Sequence, residues 1–393
     1  MISTSLRVLH VYRTYFPDPP GGLQEAIRQI CGATRSFGIE NTIFTLSPAS
    51  EPSVLQRPEA RVVRCRSWAA PASCDLGGPA AFTRFRELAD EADVVHYHFP
   101  WPFADLMHLA KGCSTPSVLT YHSDVVRQRL LGALYRPLMM RMLRSMSAVV
   151  ATSPAYARTS EALSAPGVQR LVRVVPLGID DQSYPTGGDD DALSRLRIAK
   201  GQPYFLFIGV LRYYKGLHYL IRAAAKVNAG IVIAGTGPEA EALHELASQT
   251  GAQNVIFAGQ VSDEEKVALL QHCKALVLPS HLRSEAYGMV LVEAAMFGKP
   301  MISCEIGTGT SFVNAHDETG LVVAPEDPAA LANAMNLFLE EDALTKQMGL
   351  AARARYERLF SGEALGREYA KLYHEVAEKR RECDARRGLM LDR

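Results

Sequence analysis

Short runs of β-branched and aromatic residues alternate with longer stretches in which apolar side chains recur every three to four positions, through almost the whole chain. Compact apolar runs of this length read as strands and the 3.6-residue period as amphipathic helix. Their regular alternation is the mark of βαβ units feeding a parallel sheet. The pattern predicts strands at residues 6–12, 41–46, 61–65, 93–98, 117–121, 148–152 and 172–176. A second set follows at 204–209, 231–234, 255–257, 275–278, 301–304 and 321–323, with helical stretches such as 23–37 between most of them. The last helices, from Pro328 to about Glu382, are polar and arginine-rich on one face. Periodicity lapses from Leu177-Gly178-Ile179-Asp180 to Gly187-Gly188-Asp189-Asp190-Asp191, where turn-forming and acidic residues mark a hinge. The expected division is therefore 1–178 and 179–371, with a terminal helix of about 372–393 packing back on the first domain.

A length of 393 residues agrees with two domains, since single cores stop growing near ~250–300 residues. The 42 Lys and Arg balance the 42 Asp and Glu, so net charge points to no partner, and the basic surplus of a nucleic-acid binder is missing. The seven cysteines, Cys31, Cys65, Cys74, Cys113, Cys273, Cys304 and Cys383, are odd in number, scattered and without a C-x-x-C pair, which fits reduced thiols in a cytosol. No run reaches the ~18–20 apolar residues of a membrane span, and the start lacks the apolar core of a signal peptide. A cytoplasmic protein is expected.

In open parallel sheets ligands bind beyond the carboxyl ends of strands, and that is where the distinctive residues lie. After the strand 275–278 comes Ser284-Glu285-Ala286-Tyr287-Gly288-Met289-Val290-Leu291-Val292-Glu293, entering a helix near Gly288, with Gly298 and Pro300 as stop signals. Unpaired N–H groups of Gly288, Met289 and Val290 at a helix start form an anion site. Glu285 before it and Glu293 one turn inside suit hydroxyl groups on either side of a diphosphate. After the strand 204–209, Arg212 and Lys215 precede Gly216. Guanidinium and ammonium together suit the charge on a departing diphosphate.

Glycine-rich loops follow three further strands: Pro20-Gly21-Gly22, Gly235-Thr236-Gly237-Pro238 and Gly307-Thr308-Gly309-Thr310-Ser311. The first fits a second anion-facing loop or a tight turn equally well. The second lacks the full G-x-G-x-x-G of a dinucleotide site. His122 follows the strand 117–121 and suits hydrogen bonding to a sugar hydroxyl. His96 and His98 share one strand face, but no third ligand stands at recognisable spacing, so no metal pair is expected. The D-x-D of Asp189 and Asp191 lies in the linker and reads as a solvated acidic turn. The arginines and apolar residues of 127–144 form an amphipathic helix, either interfacial against anionic headgroups or covering the sheet, interrupted by Pro137.

Taken together these residues resemble glycosyltransferase family four, the retaining GT-B enzymes. Glu285 and Glu293 match the E-x7-E motif, Gly21-Gly22 the N-terminal glycine loop, Lys215-Gly216 the lysine motif, and Gly235-Thr236-Gly237-Pro238 the second-domain turn. The resemblance implies two Rossmann-like α/β domains facing across a cleft, the second binding the nucleotide sugar. It places Glu285 on the donor sugar, Glu293 on the ribose, the amides of Gly288 to Val290 on the diphosphate, and Gln260 and Val261 beside the base. It implies neither cofactor nor catalytic metal. The family commonly carries Arg at the position of Val210, and Arg212 is the candidate to replace that charge.

The segments 8–18 and 306–314 are similar to bacterial mannosyl- and rhamnosyltransferases of surface-polysaccharide assembly. That similarity implies a GDP-mannose-type donor, a saccharide or polyprenyl-diphosphate-linked acceptor, and peripheral contact with the inner membrane. Two alternatives share the fold: a nucleotide-sugar 2-epimerase, and a non-catalytic nucleotide-sugar-binding partner that regulates another transferase.

Overall fold

A computed structural model describes residues 5–391 apart from 19–20, 72–73, 112–114, 125–128, 190, 197 and 200. Pro20, Cys113, Arg127 and Asp190 thus lie outside the described residues, and the side chain of Cys383 does too. The chain forms two compact units, one of residues 1–177 with 362–393 and one of residues 178–361. Re-entry into the first unit thus begins at Gly362, not near 372.

The first unit carries β1 (Leu6–Val11), β2 (Ile39–Ser47), β3 (Val54–Gln56), β4 (Arg61–Ala69), β5 (Leu76–Gly77), β6 (Val94–Phe99), β7 (Ser117–Tyr121), β8 (Ala148–Ala151) and β9 (Val172–Val174). Its helices are α1 (Gly22–Arg35), α2 (Pro79–Glu91), α3 (Pro102–Lys111), α4 (Arg129–Ser145) and α5 (Pro154–Thr159). The sheet order is β3-β4-β2-β1-β6-β7-β8-β9, with β5 against β4. Every pairing is parallel except those of β3 and β5 with β4. Those two edge strands escape the sequence pattern because two or three residues carry no readable period; pairing with β4 makes them strands.

The second unit carries α6 (Asp191–Arg195), β10 (Tyr204–Ile208), α7 (Leu217–Ala224), β11 (Gly230–Ala234), α8 (Ala240–Thr250), β12 (Val255–Gly259), α9 (Asp263–His272) and β13 (Ala275–Leu278). It continues through α10 (Met289–Met296), β14 (Met301–Cys304), α11 (Thr310–Val313), β15 (Gly320–Val323), α12 (Pro328–Glu340) and α13 (Asp342–Leu359). Its strands run β12-β11-β10-β13-β14-β15, all parallel. This is the doubly wound Rossmann order, whose direction reverses beside β10 and β13. Strands buried on both faces need continuous apolar runs, and β10, β11, β13 and β14 supply them: Phe205, Ile231, Leu276 and Ile302 are fully buried.

A long terminal helix, α14 (Gly362–Leu391), packs on α1 in the first unit. Gly366 permits that approach: a Cβ there would stand 2.3 Å from the carbonyl oxygen of Ala33. Tyr369 and Tyr373 of α14 are fully buried. Their hydroxyls bond to Thr120 at 3.0 Å and His96 at 2.8 Å.

Pro137 lies inside α4 without ending it, contrary to the expected break, and sits on its exposed side. The helix is two-faced. Met139, Met140, Met142 and Leu143 are buried, while Leu134, 79 % exposed, stands on the surface with Arg136, Arg141 and Arg144. Among the described residues no helix is long and apolar enough to cross a membrane. Cys31, Cys65, Cys74, Cys273 and Cys304 are free thiols.

Both tryptophans, Trp68 and Trp101, belong to the first unit, so tryptophan fluorescence follows that unit alone. Gly366→Val forces α14 off α1 and is expected to destabilise it by about 1–3 kcal/mol, as overpacking does. A urea transition followed by tryptophan emission measures this; an unshifted midpoint would show that the α1–α14 contact yields freely.

Candidate active site

In the second unit the chain leaves β10 through Gly209 and makes one 3-10 turn, Tyr213–Lys215, closed by Gly216 at φ 69°. A Cβ on Gly216 would lie 2.1 Å from the carbonyl oxygen of Pro279. Only glycine lets this loop rest on the one that follows β13. The His281 N–H donates to the Tyr214 carbonyl at 3.0 Å and locks the two loops together.

Lys215 is thereby brought onto Glu285, 70 residues away in sequence, as an ion pair, and the Ser280 hydroxyl donates to the same carboxylate at 3.3 Å. The two side chains are only 13 % and 11 % exposed. Burial opposes the charge on Lys215, yet Glu285 and Tyr214 outweigh it and hold the ammonium above its usual range. Arg212 is exposed at the start of the same turn, close enough for its charge to act against that of Lys215. Val210 is 51 % exposed.

Glu285 leads into α10, whose N-cap is Gly288 at φ 81°. Among the described residues the N–H groups of Gly288, Met289 and Val290 have no hydrogen-bond acceptor, and the first backbone bond of this helix start is Leu291 N–H to the Gly288 carbonyl at 2.9 Å. Three open donors at the positive end of a helix dipole attract an anion. Glu293, one turn in, accepts from the Tyr184 hydroxyl and lies 3.5 Å from Lys266 Nζ. That ammonium also sits 4.6 Å above the Tyr184 ring. Tyr184 closes a single 3-10 turn, Asp181–Ser183, and Lys266 follows the acidic first turn of α9, so neither carried a sequence signal.

The loop 307–311 rests on the same segment: Gly309 N–H donates to the Ala286 carbonyl at 2.9 Å, and Arg283 to the Gly307 carbonyl at 2.6 Å. Gly235 and Gly237 are demanded by packing. A Cβ on either would lie 2.0 Å from the Gly209 oxygen or 2.5 Å from the Leu211 oxygen, so they let the β11 loop lie on the β10 loop. Gln260, exposed beyond β12, meets the Thr236 hydroxyl at 3.4 Å, with Val261 beside it. Asp189 is paired with Arg195 at 2.6 Å and Asp191 opens α6.

The remaining candidates lie in the first unit. Gly21 is the N-cap of α1 and Gly22 its first residue. An added Cβ meets nothing at Gly22 and only the flexible Gln24 side chain at Gly21, so neither glycine is required by packing. His122 follows β7 and is buried among other histidines. A third histidine does accompany His96 and His98, contrary to expectation: parallel pairing sets His10 of β1 opposite His96, and ligand nitrogens of the three lie within 4.8 Å of one another. Spacing along the chain conceals a partner contributed by another strand. All six of these nitrogens are engaged, His10 with His98 and Asn41, His96 with Thr120 and Tyr373, His98 with His10 and His122. They form a hydrogen-bonded core network.

The sequence profile described as "Glycosyl transferases group 1" matches residues 189–355, and that of a "Glycosyl transferase 4-like domain" matches residues 21–178. The chain belongs to the group 1 glycosyl transferases. This glycosyltransferase is 48 % identical over 356 residues to the D-rhamnosyltransferase WbpZ of Pseudomonas aeruginosa, covering 91 % of this chain and 92 % of that one. It is 40 % identical over 376 residues to the O-antigen chain mannosyltransferase C of Escherichia coli, covering 95 % and 100 %. Its fold is GT-B. Sucrose-phosphate synthase from Thermosynechococcus elongatus superposes with a TM-score of 0.77 at 23 % identity, over 94 % of this chain and 99 % of that one. Anabaena Alr3699/HepE in complex with UDP gives 0.77 at 20 %, over 94 % and 100 %.

Removing one member of a poorly solvated ion pair strands the other. Lys215→Met and Glu285→Gln are each expected to cost this transferase about 2 kcal/mol, and the double variant less than their sum. Thermal melts in a double-mutant cycle read the coupling. Burial also pushes His10 down to about 4 and His122 to about 3, and His96 and His98 well below their usual value. Unfolding restores a pKa near 6.5, so their contribution is full above pH 6.5 and is lost as pH falls toward those lower values. Each histidine contributes a slope of about 1.4 kcal/mol per pH unit there. Asp105, raised by burial to about 7, offsets one of them. Urea melts by tryptophan emission should therefore weaken from pH 6 to pH 5.

Proposed function

We propose that this glycosyltransferase moves mannose or D-rhamnose from a GDP-type nucleotide diphosphate sugar, with retention of anomeric configuration. The acceptor is a saccharide carried on a polyprenyl diphosphate, in O-antigen or related surface-polysaccharide synthesis. The observation that carries the reading is the Lys215–Glu285 pair beside the three open N–H groups that begin α10. The names of the two similar transferases, of D-rhamnose and of mannose in an O-antigen chain, support the sugar and the pathway class.

On this reading the diphosphate takes the N–H groups of Gly288, Met289 and Val290 and draws Lys215 from Glu285, freeing that carboxylate for hydroxyls of the sugar. Glu293, already held by Tyr184 and Lys266, receives the ribose. The acceptor oxygen bonds to the anomeric carbon on the face from which the diphosphate oxygen departs, and its proton passes to a phosphate oxygen. Lys215, Arg212 and the α10 amides stabilise the charge that gathers on the leaving nucleoside diphosphate. With two cations and a helix terminus available, the reaction needs neither metal nor cofactor. Gly21 and Gly22 leave the start of α1 open to a ligand, Gln260 and Val261 border the base, and Gly235 and Gly237 keep the adjoining loops close. The exposed Leu134, Arg136, Arg141 and Arg144 of α4 suit contact with anionic headgroups, which supports a reading of the enzyme as cytoplasmic, working at the inner membrane face.

The test offers purified protein GDP-mannose, a GDP-deoxymannose, UDP-glucose and UDP-N-acetylglucosamine with membrane-extract acceptors, with and without EDTA. GDP release that resists EDTA and is lost in Glu285→Ala is expected, with kcat reduced by about 100-fold or more, as for loss of a group acting on the transition state. Strict metal dependence would sink the mechanism. Binding without turnover on any acceptor would favour a regulatory partner, and an altered free nucleotide sugar would favour the epimerase.

A further inference from the structure

A line of buried side chains crosses the first sheet from β2 to the end of β7: Asn41, His10, His98 and His122. The contacts are Asn41 Oδ1 to His10 Nε2 at 3.1 Å, His10 Nδ1 to His98 Nε2 at 3.1 Å, and His98 Nδ1 to His122 Nε2 at 3.0 Å. Nothing in the transfer proposed above uses the first three. All four residues are buried, and the rings facing them are uncharged: Tyr12 just after β1, His96 of β6 and Tyr373 of α14.

One end of this line has a fixed polarity. Asn41 Nδ2 stands 2.9 Å from the Cys31 carbonyl and 3.1 Å from the Thr34 hydroxyl. A carbonyl only accepts, so that atom is the NH2 and Oδ1 is the atom turned to His10. His10 must then donate through Nε2. A neutral imidazole carries one proton, so His10 Nδ1 accepts and His98 Nε2 donates. By the same rule His98 Nδ1 accepts and His122 Nε2 donates. His122 Nδ1 is left without a proton, and among the described residues no hydrogen bond is made to it.

We propose that Asn41 sets the tautomer of His122 through His10 and His98, so that His122 presents an unprotonated Nδ1 as hydrogen-bond acceptor to a hydroxyl of the bound sugar or its acceptor. Asn41, His10 and His98 are positioning residues. The acceptor role rests on the function proposed above and on the position of His122 beyond the carboxyl end of β7, whereas the tautomer chain stands on the hydrogen bonds alone. A histidine held this way selects a hydroxyl that donates, and it rejects a carbonyl or ether oxygen at the same place.

The whole protein, labelled with 15N at histidine, tests both halves by long-range 1H–15N NMR, which distinguishes protonated from unprotonated ring nitrogens. The expected spectrum shows His10, His98 and His122 protonated at Nε2 alone, between pH 6.5 and 8. In Asn41→Ala and His10→Phe the His122 nitrogens should move toward the averaged position of mixed tautomers. His96, whose partners are Thr120 and Tyr373, should stay unchanged and report that the variants fold. A proton on Nδ1 of His122 in the unsubstituted protein overturns the proposal, even where a variant does not fold. So does a His122 signal indifferent to both substitutions. Adding GDP-mannose, then a membrane-extract acceptor, should shift Nδ1 of His122 upfield as it accepts a hydrogen bond. The expected tautomer with no shift would overturn the acceptor role while Glu285→Ala still tests the transfer itself.

Discussion

Opposite charges that have lost most of their water are stable only in each other's company, and the Lys215–Glu285 pair imposes that condition on two loops of the second unit. The loops must approach until one's turn rests on the other's backbone, which is why Gly216 cannot carry a Cβ against Pro279. The same approach delivers Glu285 to the head of α10 and sets the open amides of Gly288 to Val290 beside it. Cation, carboxylate and helix terminus therefore come as one assembly. Strand order supplies the location, since β10 and β13 are the neighbours between which the sheet reverses.

The first unit solves its polar problem in the opposite way. Its strands bury histidines that stay neutral, because burial depresses their pKa values and each ring finds a hydrogen-bond partner. Neutral groups can be buried in a row; charged ones could not. Parallel pairing puts His10 beside His96, and α14 closes over them with Tyr369 and Tyr373. A helix from the far end of the chain thus completes the polar interior of the first sheet.

Much of the fold was legible. The apolar runs at Phe205, Ile231, Leu276 and Ile302 marked strands without any knowledge of their pairing, and they are legible because a strand buried on both faces must be apolar throughout. The short edge strands β3 and β5 were not legible, and neither was the passage of α4 through Pro137. In the site, the segment from Glu285 to Glu293 declared itself by its place after a strand and before a helix. Tyr184 and Lys266 did not, since their only claim is nearness to Glu293. Gly235 and Gly237 stood out as a glycine-rich loop, but that the carbonyl oxygens of Gly209 and Leu211 crowd them only the packing of two loops shows.

The sequence by itself determined which segments would be strands or helices and which residues would stand at strand ends, because periodicity and turn chemistry act between neighbours in the chain. It also determined the chemical kind of site: cations, carboxylates and a glycine-led helix start belong with phosphate and hydroxyl groups. Only the tertiary structure decided who meets whom. Lys215 found Glu285, His10 joined His98, and Asn41 came to sit at the end of a line that reaches His122. Those meetings depend on strand order, on register and on glycines that let loops touch, and each of these is a relation between distant segments that no local pattern contains.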